Sequence, residues 1–104
     1  MTEVRYSITD GRKCDRRYLL CEGHATGSRD VCAAVSGIVY TLAGYLKNAD
    51  EKTTWSDILL DEGYAEFAID TTNERVVGAW EAAVIGLKQL QNSFGEYIHV
   101  AQIK

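Results

Sequence analysis

The sequence predicts an α+β fold: a two-layer sandwich whose mainly antiparallel sheet of four to five strands is covered by two helices, in the order ββαββαβ. Three observations predict it. Short segments alternate apolar and polar residues with period two, the signature of half-buried strands. Two longer segments repeat apolar residues every three or four positions, the signature of helices. Turn chemistry at Asp10-Gly11 and Asp61-Glu62-Gly63 separates paired strand candidates.

In EVRYSIT (3–9), Val4, Tyr6 and Ile8 point one way and Arg5, Ser7 and Thr9 the other. A polar loop to Arg16 leads into RYLLCE (17–22), expected to pair antiparallel with the first strand. Gly23 ends that strand and permits a sharp backbone turn before His24.

Asp30 is the expected cap of a helix beginning at Val31. Val31, Val35, Ile38, Leu42 and Leu46 form its core-facing stripe, yet the other faces carry Ala33, Ala34, Gly37, Tyr40, Gly44 and Tyr45. No charge falls between Asp30 and Lys47. A helix apolar nearly all round needs cover on two sides. The sheet covers one, and a second copy of the chain is the expected cover for the other, which predicts a homodimer.

KNADEKTT (47–54) reads as a charged surface loop. WSDILL and YAEFAID then flank the Asp61-Glu62-Gly63 turn as a hairpin, with Ala65, Phe67 and Ile69 inward and Glu66 and Asp70 outward. The first arm reads alternatively as a short helical turn. Thr71 and Glu74 resemble a capping box for a second helix striped by Val76/Val77, Trp80, Val84, Leu87 and Leu90. That helix is expected to end near Gly95, and YIHVAQI makes the last strand.

The 104 residues (1–104) are read as one domain, long enough for a core without disulfide or metal staples. A net charge of −4 argues against a nucleic-acid or anionic-membrane surface. The basic cluster Arg12, Lys13, Arg16 and Arg17 is interleaved with Asp10 and Asp15, as in a solvated turn. No run approaches the roughly 20 apolar residues of a membrane span, and MTEVRYSIT has no signal-peptide pattern. A cytoplasmic location follows, in which Cys14, Cys21 and Cys32 are reduced thiols.

The chemistry gathers in GHATGSRDVCAAVS (23–36). His24 stands at one lip of a short loop and Cys32 at the other, near a helix start. A thiol beside unsatisfied N–H groups and the positive end of a helix dipole is favoured as thiolate, and a facing imidazole can take its proton. On this reading His24 is base and then acid, Cys32 is nucleophile at about the second helical residue, and the Cys32 N–H helps hold an oxyanion. Ser36, one turn on, lines the same face, and Gly23 and Gly27 leave the loop free to pass over a bound chain. The reaction class is acyl transfer from a peptide or amide through a thioester.

Other readings of the same residues stand beside this one. A cysteine near a helix start is often a small buried hydrophobe. Cys14, Cys21, His24 and Cys32 could in principle ligate a metal, but they lack the paired C-x2-C spacing of structural zinc. Glu22 or Asp30 could orient His24. Cys21 reads as core, Cys14 as an exposed thiol, His99 as a surface or packing residue, and Trp55 and Trp80 as packing anchors.

Gly23-His24-Ala25, a loop, and Val31-Cys32-Ala33-Ala34-Val35-Ser36 resemble the signature of the ribosomal-processing cysteine protease family, Prp. The likeness spans the chain, down to the helix-then-strand close LKQLQNSFGEYIHV. It implies a cofactor-free thiol protease with His24 and Cys32 as its dyad, usually dimeric, that removes an N-terminal extension from a large-subunit ribosomal protein. The usual members have a longer loop before the glycine corresponding to Gly27, and an aspartate where this chain has Arg29. That shortening implies a different lid and subsite wall, as in phage and prophage relatives. It leaves the substrate open between a ribosomal precursor and a phage capsid or scaffold precursor. A catalytically silent dimeric interaction module on the same fold is the alternative.

Overall fold

The structure is a computed structural model, and it describes residues 1–23 and 28–103. The elements run β1 (Thr2–Thr9), β2 (Arg16–Glu22), α1 (Arg29–Lys47), β3 (Thr54–Asp61), β4 (Tyr64–Thr71), α2 (Glu74–Phe94) and β5 (Ile98–Gln102). This is the expected α+β order. The first arm of the 54–71 hairpin is a strand throughout, and not a helical turn.

The strands form one sheet in the order β3-β4-β2-β1-β5. β3–β4, β4–β2 and β2–β1 pair antiparallel, and β5 joins β1 in parallel. It follows that β2 and β3 run in the same direction, with β4 between them and α1 making the crossover. β4 and β5 likewise run in the same direction, linked by α2. A parallel connection needs such a crossover, because a tight turn can only join antiparallel neighbours. Two crossovers place both helices on one sheet face and bring the start of α1 to the end of the sheet where β2 and β3 finish.

Register decides which side chains meet. Val4, Cys21, Ala65 and Leu60 lie side by side across four strands, and Tyr6, Leu19, Phe67 and Ile58 form the next row. Val4, Leu19, Cys21, Phe67 and Ile69 are fully buried beneath the helices. From α1 come Val31, Val35, Val39, Leu42, Ala43 and Leu46, and from α2 Val76, Trp80, Ala83, Val84 and Leu87. Trp80 meets Tyr6 edge to face, with ring centroids 6.1 Å apart. Such a pair adds to its burial the attraction of a ring edge for a ring face. Ile38 and Leu90, expected in the stripes, are only partly buried.

The opposite sheet face carries polar pairs. Arg16 grips Asp70 through two hydrogen bonds of 2.9 and 2.8 Å, which hold the Asp70 carboxyl below its ordinary value. The Arg16 guanidinium also lies 5.3 Å from the Trp55 ring centre, and Trp55 is half exposed, so it is no core anchor. The Tyr18 hydroxyl donates to Glu66 at 2.6 Å; burial first and that carboxylate second raise its pKa. His99 is exposed, with Nδ1 3.2 Å from Glu3 across the parallel β1–β5 pair.

Both helix caps differ from expectation. Ser28, not Asp30, caps α1: its hydroxyl accepts from the Val31 N–H at 3.4 Å, so the helix starts at Arg29 with Asp30 in its first turn. Asn73, not Thr71, caps α2 by accepting from the Arg75 N–H at 2.9 Å, while the Thr71 hydroxyl accepts from the Asn73 N–H. In each case several good capping residues are neighbours, so residue type alone does not select one.

Cys21 supplies a test of the core. Burial pushes its thiol from an ordinary 9.0 up to about 12. Above pH 9 the unfolded chain therefore loses this proton while the folded chain keeps it, so ionisation favours unfolding. Stability should fall by up to about 1.4 kcal/mol per pH unit between about pH 9 and pH 12 from this group. Urea titrations at pH 8 and pH 10 should show a shallower alkaline loss in Cys21→Ala than in the native chain.

Candidate active site

Gly23 closes β2 with φ of +74°, a left-handed conformation that favours glycine. A Cβ there would also come within 2.9 Å of the Met1 carbonyl oxygen. The Gly23 N–H donates to the carbonyl of Gly63, the φ +71° residue of the β3–β4 turn, at 2.8 Å. One hydrogen bond thus ties the residue before His24 to the hairpin turn at the same end of the sheet. His24 and Gly27 themselves lie outside the described residues.

Cys32 is the fourth residue of α1, not the second. Its N–H donates to the Ser28 carbonyl at 2.9 Å, the first bond of the helical ladder. That donor is spent on the fold, which corrects its expected role as an oxyanion donor. The N–H groups of Arg29 and Asp30, a turn earlier, are the ones helix geometry leaves without a helical acceptor. A helical side chain leans toward the N-terminus and covers the preceding turn, so the Cys32 thiol belongs over those groups despite its later position. Ser28 is the residue that sequence reasoning missed: serine is a preferred N-cap residue, and it stands two positions before Asp30.

The three thiols occupy different settings. Cys21 is fully buried in the core. Cys14 is part-buried at the far end of the sheet, in a cleft with Lys13, Lys52 and Asp70. Cys32 is part-buried at the helix start, and Ser36 stands part-buried one turn on. Among the described residues no three His, Cys, Asp or Glu side chains gather as a metal site. No described helix is long and apolar enough to cross a membrane.

A model of the family described as Cysteine protease Prp matches residues 1–99. The chain belongs to the Prp family. It is accordingly a cysteine endopeptidase. Several solved structures share its fold. The ribosomal processing protease Prp from S. aureus, with a covalently linked product peptide, superposes with a TM-score of 0.78 at 18% identity, covering 99% of this chain and 100% of that one. The same S. aureus protease with a substrate peptide gives 0.76 at 17% identity, with 99% and 100% covered. SMU.848 from Streptococcus mutans gives 0.75 at 23% identity, with 99% and 97% covered. No curated protein matches the chain.

Proposed function

We propose that this Prp-family protease makes one specific cut in a protein precursor, with Cys32 as nucleophile and His24 as its base. The observation that carries the assignment is the setting of Cys32: one thiol is sealed in the core, one lies at the opposite end of the sheet, and only Cys32 sits at the start of α1. The Cys32 sulfur attacks the scissile carbonyl, and His24 takes the thiol proton and returns it to the departing amine. Water then cleaves the thioester, releasing the acid and restoring the thiol. The Arg29 and Asp30 N–H groups are the donors proposed for the oxyanion. Gly23, Gly27 and Ser36 line the path of the substrate.

The precursor is either the N-terminally extended form of a large-subunit ribosomal protein or a phage capsid or scaffold protein, met in a cytoplasmic setting. The S. aureus relative processes a ribosomal substrate, which supports the first, and the shortened loop supports the second. Both precursors should be incubated with the native chain and with Cys32→Ala. Cleavage of one by the native chain alone identifies the substrate. Partner binding that survives Cys32→Ala, with no cut by either, would instead establish a silent interaction module.

The chain is proposed to work as a homodimer joined through the outer helix layer. Ala34, Ile38, Thr41 and Tyr45 of α1 and Ala79 and Ala82 of α2 line an apolar groove of about 490 Å³. Tyr40 (63% exposed) and Ile85 (57% exposed) add exposed apolar side chains to the two helices. An uncharged exposed layer of this kind marks an association surface, and a second copy offers the same apolar layer in return. Sedimentation should give about twice the 11.6 kDa chain mass. Thr41→Glu, which puts a charge into that groove, should shift the protein to monomer.

A further inference from the structure

We infer that the protein substrate is held as an extra β-strand on the free edge of β3, which delivers its scissile bond to Cys32. This rests on the proteolytic reading of Cys32 and adds the mode of substrate recognition.

Among the described residues β3 is an edge strand, and all eight of its residues pair in unbroken register with β4. The two-residue turn at Glu62-Gly63 makes Asp61 and Tyr64 a pair that exchanges backbone hydrogen bonds. Alternate residues Leu59, Asp57 and Trp55 then bond to β4 as well, while Leu60, Ile58 and Ser56 turn their N–H and C=O groups to the open edge. Natural edges are usually blunted by proline, lysine or a bulge. β3 has no proline or lysine, its register shows no bulge, and its charges, Asp57 and Asp61, lie on the exposed sheet face. An open ladder of this length is what an extended peptide completes in strand addition.

Its direction brings it to the site. α1 lies antiparallel to β3, and its last residues, Leu46 and Lys47, border Thr54 and Ser56 at the start of β3. The 19 residues of α1 span about 28 Å and the eight of β3 about 27 Å. The far end of β3, at Leu60 and Asp61, therefore lies at the end of α1 that carries Ser28 and Cys32. The Gly23–Gly63 hydrogen bond pins the same corner.

The helix is also rotated to suit. Ala34, Ile38, Thr41 and Tyr45 mark the flank of α1 that meets α2. At 100° per residue, Cys32 and Ser36 fall on the opposite flank, toward the β3 edge. A chain zipped along β3 passes under that flank. Recognition through backbone bonds selects for extended, unfolded sequence, the state of a precursor's terminal extension.

Amide hydrogen exchange tests this. The free N–H groups of Ser56, Ile58 and Leu60 should exchange fast, and those of Asp57 and Leu59 slowly. A synthetic peptide spanning the mapped cut should be added to Cys32→Ala, so that it binds without being consumed. Exchange at Ser56, Ile58 and Leu60 is expected to slow by about tenfold or more. Protection confined to the start of α1 would overturn strand addition while leaving the protease intact. A Ser56→Pro variant, which removes an outward donor while sparing the β4 ladder, should raise KM and leave kcat unchanged. If the native chain cuts neither precursor, the proteolytic reading itself has failed, and this inference with it.

Discussion

Cys32→Ala is expected to abolish cleavage, by at least about 10³-fold, while leaving the fold intact. Losing a nucleophile removes the covalent route. The structural cost should be small, below about 1 kcal/mol, because the side chain is short and part-exposed and its N–H keeps the Ser28 bond. Equal thermal midpoints with no product would therefore assign the loss to chemistry. Mass-mapped labelling with iodoacetamide near pH 7 supplies the complement. Cys32 should be alkylated ahead of Cys14, and Cys21 should stay unmodified until the protein unfolds. Persistent cleavage by Cys32→Ala would remove this residue from the mechanism.

Phe67→Ala should have the largest effect on stability. Phe67 is fully buried in the middle of β4, with Leu19 beside it on one strand and Ile58 on the other. Truncation strands a cavity under both helices, and such changes cost about 3–5 kcal/mol. Domains of this size hold only about 5–15 kcal/mol in all. The thermal midpoint should fall by about 15 °C or more, and activity should vanish at temperatures where the native chain still works. Phe67→Leu, which retains most of the volume, should recover much of the loss. A fall of only a few degrees for Phe67→Ala would show that the sheet and helices close over the gap.

Much of this was legible in the residues. The alternation in EVRYSIT and YAEFAID sorts inward from outward side chains without knowledge of strand partners, because pleating alone sets the period. The stripes through Val31–Leu46 and Val76–Leu87 likewise follow from helical geometry alone. GHA and VCAAVS carried the family resemblance as two short motifs of particular residue types in a fixed order. The caps were misread for a definite reason: Ser28 and Asp30 are both competent, as are Thr71 and Asn73. Trp55 was misread as an anchor because its burial depends on lying on the open face of an edge strand.

Sequence by itself determined the elements, their order, the inward faces and the candidate nucleophile, all of which depend on local period and residue chemistry. Tertiary structure alone decided the strand order β3-β4-β2-β1-β5, the parallel union of β5 with β1 and the free edge at β3. Those arise from pairings between residues far apart in the chain, where many partners satisfy the same local pattern and only the joint burial of one core selects among them. The same selection spent the Cys32 N–H on the helix and aligned the open β3 edge with the flank that carries its thiol.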